Sequence, residues 1–399
     1  MRSSLPQGHL DREHRQDAPR VPPRIGPGGL TVGRDAESGP TAPGRAGSRA
    51  AEPFRRAWWL PGPHLQTVWG NVARPRDLVA FRREWLATPD GDEVALDHVD
   101  APSGAPRLLV LHGLEGSSFS VYVQGLLARA RAAGFAGTAL NFRSCAREPE
   151  RLDRWIPNRT QRLYHSGETG DLDFVANELA RREPAAPLFA IGVSLGGNVL
   201  LKWLGEHPGQ RTIAAAATIS VPYDLARGAR HLEHPVSRLY LRNFLPTLVA
   251  KTEAMLRRHP ALAERVDLDR VRRSRTFHEF DGAATAPVHG FADAGDYYAR
   301  SSSIGFVGRI TTPTFCLSAI DDPFLPAEVA HAFREAAPPA VEVHLTETGG
   351  HVGFVAGPRP ARAEAWAERR AIEWFVDRAR DAGAVGESAA TVVAARSEA

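Results

Sequence analysis

The sequence predicts an α/β fold with a mostly parallel central sheet flanked by helices and a helical lid insertion. Three observations predict it. Strand-length runs that are apolar throughout alternate with amphipathic segments, as expected of strands covered on both faces. The alternation pauses over about residues 223–305, which read as mostly helical with several aromatics, and then resumes. The apolar content, 43% of 399 residues, is that of a globular chain and excludes wholesale disorder. With 31 prolines and 8% aromatic residues, a coiled coil is excluded as well.

Residues 1–50 are rich in Arg, Pro, Gly and Ser, have no hydrophobic period, and are expected to form a disordered basic tail. A single domain is expected over 51–382. It opens with a buried strand at 106–113 and a helix at 120–134, which Gly134 stops. Strand 135–142 and helix 170–183 follow, the helix with Leu172, Val175 and Leu179 on one face. Next come strand 187–194, helix 195–207 and strand 213–222. After the insertion stand strand 312–320, helix 327–337, strand 341–347 and a long final helix near 361–380. Residues 383–399 lack an anchor and are expected to fray. An insertion at this point of a doubly wound sheet usually covers the carboxyl ends of the strands, where ligands bind.

The formal charge of +3 resides in the first 50 residues, with eight Arg against five acids. The remainder balances at 41 of each sign, so no nucleic-acid footprint falls on the folded part. The tail is too weakly charged for lipid recognition, and a solvated extension is expected. Cys145 and Cys316 form no zinc pattern and are expected as free thiols in a reducing compartment. With no apolar signal-peptide core, a soluble, cytoplasmic protein is expected. The longest uncharged stretch, 184–201, is broken by two prolines and three glycines, and reads as strand, turn and helix rather than a membrane span. Nothing in the sequence sets an oligomeric state.

The chemistry is carried first by Gly192-Val193-Ser194-Leu195-Gly196. This G-x-S-x-G sits between an apolar strand and an apolar helix, the context that a nucleophile elbow requires. The glycines leave room for a sharp turn that lifts the Ser194 hydroxyl above the sheet at a helix N-terminus, where negative charge is favoured. Serine is a poor nucleophile without a base. In this arrangement the acid and then the histidine follow in loops after later strands. Asp321 and Asp322 follow strand 312–320, and His351 lies in "GGHVGF" after strand 341–347. The Asp-Pro-x-x-Pro shape of "DPFLP" favours Asp322 as the acid, whereas counting three residues on from Ser318 favours Asp321. Asp322 is preferred and Asp321 stays open. The backbone N–H groups of Leu195 and Leu114 are the expected oxyanion donors. His112 is expected to hold the donor loop by a hydrogen bond.

These motifs, together with "WWLPGPHLQTVWG" (58–70), "HGLEGSS" (112–118), "NFRSC" (141–145), "YHSGETGDL" (164–172) and "EFDGAATAPVHGF" (279–291), resemble the YheT-like branch of the α/β-hydrolases. The resemblance covers roughly residues 53–378. It implies an α/β-hydrolase fold and a cofactor-free serine esterase or lipase-like hydrolase acting on short- to medium-chain acyl esters or acylglycerols. Its partner is then a small-molecule ester or lipid substrate. In this reading Ser194 is the nucleophile, His351 the base and Asp321 or Asp322 the acid. Eukaryotic members often carry an N-terminal membrane anchor; the polar extension here departs from them.

His64, Gln66 and Thr67 are expected to pack their segment against the domain, or to line the acyl pocket. Cys145 is expected as a small buried thiol, and Thr169 and Asp171 as caps of the following helix. Leu239, Tyr240, Leu241, Phe244, Leu245 and Leu248 form an apolar stripe for core packing or a lid. Acyl transfer to an alcohol uses the same triad and is the first competing function. A non-catalytic binding module is the second. A metal-dependent hydrolase is disfavoured, since no H-x-H or H-E-x-x-H spacing occurs.

Overall fold

A computed structural model describes residues 52–75 and 78–384. The tail expected over 1–50 and residues 385–399 of the expected C-terminal tail lie outside the described residues. Residues 53–384 fall within one unit.

In chain order the strands are β1 (Arg82–Ala87), β2 (Glu93–Val99), β3 (Arg107–Leu111), β4 (Ala136–Asn141), β5 (Arg147–Glu148), β6 (Arg151–Trp155), β7 (Leu188–Val193), β8 (Ala215–Ile219), β9 (Thr314–Ala319), β10 (Val341–Thr346), β11 (Val355–Ala356) and β12 (Glu364–Ala365). The helices outside the insertion are α1 (Pro63–Val72), α2 (Val121–Ala132), α3 (Gly170–Arg182) and α4 (Leu195–Glu206), then α11 (Ala327–Ala336) and α12 (Trp366–Asp381). Between β8 and β9 stand α5 (Leu225–His231), α6 (Arg238–Arg258), α7 (Leu268–Arg273), α8 (Phe277–Phe280), α9 (Ala286–His289) and α10 (Ala294–Ser301), with shorter helical turns between them.

The main sheet has eight strands in the order β1-β2-β4-β3-β7-β8-β9-β10. All neighbours from β4 to β10 pair in parallel, while β2 runs antiparallel to both β1 and β4. Alternation along the strands explains why they are apolar throughout. Leu109 and Leu111 of β3 join one core with α3 and α4, and Leu108 and Val110 join the other with α2 and α12. From β3 the chain steps to β4 on one side and later to β7 on the other. This reversal opens a crevice at the carboxyl ends of β3 and β7. Leu111 pairs with Gly192, so the two strands end level and their loops meet.

Three local expectations are corrected. The final helix begins at Trp366, not near 361, because β11 pairs with β12 and a short turn at 360–362 precedes it. Thr169 makes no capping bond to α3; its hydroxyl donates to Glu206, and the Gly170 N–H is taken by Glu168. Asp171 turns to Arg143 instead of capping.

Arg143, two residues beyond β4, is a buried hub. Its guanidinium contacts Asp90 at 2.8 Å, Asp92 at 3.0 Å and Asp171 at 2.7 Å, tying the β1–β2 turn to the start of α3. Burial pushes the Asp90 carboxyl up, but its hydrogen bonds to Arg143 and Thr88 and the nearby cations outweigh this and hold it down at about 2. Asp92 is lowered further, with bonds from Thr160 and Asn158 overcoming burial. Asp171 is raised, because there burial outweighs the pairing. Arg143→Met leaves carboxylates unpaired and is expected to cost about 3–5 kcal/mol in denaturant unfolding. Asp90 and Asp92 lie below their unfolded values, so their stabilisation is complete above about pH 4 and is lost as pH falls towards 2. The variant should therefore lose less stability than the parent over that acid range.

Candidate active site

Ser194 directly follows β7 with φ 53° and ψ −119°, a left-handed backbone that a side chain rarely adopts. Glycines make the turn possible. A Cβ on Gly192 would sit 2.4 Å from the Gly196 carbonyl oxygen, and one on Gly196 would sit 2.5 Å from that of Leu111. The turn brings Ser194 and His351 together: Ser194 Oγ lies 2.8 Å from His351 Nε2. On the other side of the ring, Asp322 Oδ2 and Oδ1 lie 2.9 and 3.1 Å from Nδ1. A carboxylate only accepts, so Nδ1–H donates to Asp322 and Nε2 is left to accept the Ser194 hydroxyl.

The loops carrying these groups are held from several directions. Asp322 Oδ1 also accepts the Phe324 N–H at 2.8 Å, and the Phe324 ring stacks on His351 with centroids 3.9 Å apart. The backbone N–H groups of Gly350, His351 and Val352 donate, in turn, to Asp321 Oδ1, Thr67 Oγ1 and Ser220 Oγ, each at 2.9 Å. Asp321 thus supports the histidine loop without touching the imidazole. Burial raises its pKa, partly offset by the Gly350 N–H. Gln66 grips the same segment further on, accepting from the Val355 N–H at 2.7 Å. The 58–70 segment therefore braces the histidine loop, while Thr67 and Val68 also line the cavity beside it. The sequence singles out that segment but not this role; it gives no role to Ser220 or Tyr122, and none to Tyr164 beyond its place in the 164–172 motif.

After β3, two N–H groups are taken by tyrosine hydroxyls and the one between them is left over. The Gly113 N–H donates to Tyr122 Oη at 2.8 Å, and the Glu115 N–H donates to Tyr164 Oη at 2.7 Å. Leu114 lies between them, and no acceptor among the described residues takes its N–H or that of Leu195. His112 Nε2 accepts the Phe142 N–H at 3.1 Å, so Nδ1 carries the proton that it donates to the Gly113 carbonyl at 2.8 Å. Burial lowers the His112 pKa to about 4 and keeps the ring neutral. It holds the loop as the sequence led us to expect.

Beneath this loop Lys251 of α6 donates to Glu115 Oε1 at 2.7 Å, and their side chains are 2% and 8% exposed. Tyr164 Oη donates to the same oxygen, and Lys251 Nζ also reaches Cys145 Sγ at 3.3 Å. Burial raises the Cys145 thiol to about 11. Burial would also raise Glu115, but Lys251 overrides it and the net shift is downward.

Ser194, His351, Leu114, Glu115, Tyr164 and Lys251 border a cavity of about 610 Å³. Its other walls come largely from the insertion, among them Leu225, Leu232, Phe244, Leu248, Phe280 and Val288. Asp281 in the same wall accepts from Thr285 and Tyr298, and burial raises it to about 6. Leu239, part of the expected stripe, points outward at 55% exposure. Among the described residues no group of three or more His, Cys, Asp and Glu is arranged to hold a metal ion. Nor is any described helix long and apolar enough to cross a membrane.

A doubly wound sheet with a serine elbow at its crevice defines an α/β-hydrolase. A profile of the alpha/beta hydrolase fold family matches residues 106–358, and the chain belongs to that family. It is 39% identical to "Putative esterase YheT" of Escherichia coli K12 over 78% of its own length and 89% of that protein, and it belongs to this YheT-like branch as a hydrolase. It is also 31% identical to "Phospholipase ABHD3" of Mus musculus, over 74% of each chain. An esterase from Pyrococcus furiosus, Pf2001, superposes with a TM-score of 0.48 at 14% identity, covering 77% of this chain and 98% of that one.

Thr67→Val removes the acceptor of the buried His351 N–H while keeping the shape. The expected cost is about 1–3 kcal/mol of stability in denaturant unfolding. An unchanged unfolding midpoint would remove Thr67 from the support of this loop.

Proposed function

We propose that the chain is a serine esterase that cleaves short- to medium-chain acyl esters or acylglycerols through an acyl-Ser194 intermediate. The observation that carries the reading is the continuous hydrogen-bonded chain from Ser194 through His351 to Asp322. His351 Nε2 takes the hydroxyl proton as Ser194 Oγ attacks the ester carbonyl. The oxyanion forms against the N–H groups of Leu114 and Leu195, the latter at the positive end of α4. His351 then passes the proton to the leaving alkoxide. Water repeats the sequence on the acyl-enzyme and frees the acid. Asp322 keeps the proton on Nδ1 and stabilises the imidazolium throughout.

The helices between β8 and β9 act in this reading as the cap that forms the acyl pocket. A largely apolar cavity of about 610 Å³ falls in the size range of small-molecule sites. The names of the YheT and ABHD3 relatives support an ester or lipid substrate.

The test is labelling with a fluorophosphonate probe, followed by p-nitrophenyl esters of increasing chain length. Ser194→Ala should abolish labelling and lower kcat by about 10⁶ with folding intact. Retained turnover in that variant would remove the proposal. The two aspartates separate cleanly. Asp322→Asn should lower kcat by about 10⁴, as expected for a misplaced tautomer. Asp321→Asn keeps an acceptor for Gly350 and should stay within about tenfold of the parent, since its carboxylate does not meet the imidazole. The reverse ranking would exchange their roles.

A further inference from the structure

We propose that the exposed apolar face made by α1 and the start of α6 docks on an anionic lipid bilayer. Of the residues lining the cavity, Val68 on α1 and Asn243 on α6 are the exposed ones, so the mouth opens between these helices. Around it stand Leu65 and Val68, 49% and 47% exposed, and Val236 and Leu239, 54% and 55% exposed. Leu65 and Val68 are three residues apart on one face of α1. Val236 and Leu239 belong to one turn, closed by the Leu239 N–H to the Val236 carbonyl at 3.2 Å. The two pairs are brought side by side by His64, whose Nδ1 lies 3.0 Å from Tyr240 Oη and whose ring stacks on Tyr240.

Single exposed apolar residues need no explanation. Four of them rimming the mouth of an apolar cavity mark an interaction surface. The charge of the rim selects the occupant. Arg238 and Arg242 are exposed there, and neither α1 nor residues 235–243 contain an Asp or Glu. A second copy seated face to face would set these arginines against one another. An anionic headgroup layer complements them. The four apolar side chains then enter the boundary between headgroups and acyl chains, the mode of a protein that lies on a membrane without crossing it. That such docking feeds acyl substrate to Ser194 rests on the esterase reading; the docking itself does not.

The experiment is co-sedimentation of the full chain with vesicles of ether-linked phosphatidylglycerol or ether-linked phosphatidylcholine. These lipids hold no ester bond, so the result is independent of hydrolysis. The parent should partition at least tenfold more strongly onto phosphatidylglycerol at low salt. Leu65→Asp with Leu239→Asp should reduce that partition at least tenfold, and Arg238→Glu with Arg242→Glu should reduce it several-fold. Both double variants should keep the parent's melting temperature and its turnover of a water-soluble ester within about twofold, because none of these four residues lines the cavity. Absence of sedimentation with phosphatidylglycerol overturns the proposal. So does undiminished binding of the Leu65/Leu239 variant, which would move the contact elsewhere on the chain. A dimer in analytical ultracentrifugation that this variant dissociates, without vesicle binding, overturns it in favour of a second copy.

Discussion

The site depends on one steric constraint, the approach of the Ser194 turn to the end of β3. Gly196 lies directly against the Leu111 and His112 carbonyls, and Gly192 against Gly196 itself. A side chain at Gly196 would push the turn off the end of β3, and one at Gly192 would push the start of α4 off β7. The level ending of β3 and β7 sets the serine beside the loop that carries Leu114, and a Cβ on Gly113 would already meet the Ser194 Cβ at 3.2 Å. A left-handed non-glycine residue costs on the order of 1–3 kcal/mol, and it persists only where its surroundings hold it. Here the surroundings are the two cores on either face of the sheet.

The histidine loop is positioned differently. It is buried, with Phe354 in the core, and its course is fixed through its backbone. Three consecutive N–H groups go to three side chains from separate parts of the chain: Asp321 after β9, Thr67 on α1 and Ser220 after β8. Stacking on Phe324 fixes the plane of the ring, and Asp322 fixes its rotation. The two aspartates divide the work, one on the imidazole and its neighbour on the backbone.

Much of this was legible in the sequence because the relevant signals are local. Buried parallel strands are continuous apolar runs, and β3, β4, β7, β8, β9 and β10 all stand out within three residues at each end. The elbow and its partners follow from strand order. The antiparallel β1 was not legible, since "RREWLA" is half exposed and charged and shows no apolar run. The β5–β6 hairpin, with the solvated strand "RLDRW", was hidden for the same reason. The roles of Thr67, Ser220, Lys251 and Arg143 could not be read, because each acts on a partner far away in the chain. Glu115 and Lys251 are 136 residues apart, and Thr67 and His351 are 284 apart. The choice between Asp321 and Asp322 turns on one step of backbone direction, which only coordinates supply.

The Lys251–Glu115 pair bears on how such enzymes can be recombined. Insertions between β8 and β9 invite treatment as interchangeable modules, since both their ends lie at the sheet. This one is bolted from within: a cation in the middle of α6 neutralises a carboxylate one residue after Leu114. A chimera that took its insertion from a relative without that lysine would strand Glu115 in a dry setting next to Leu114, a loss of about 3–5 kcal/mol. Position 115 must therefore travel with the insertion, although it lies more than a hundred residues outside it.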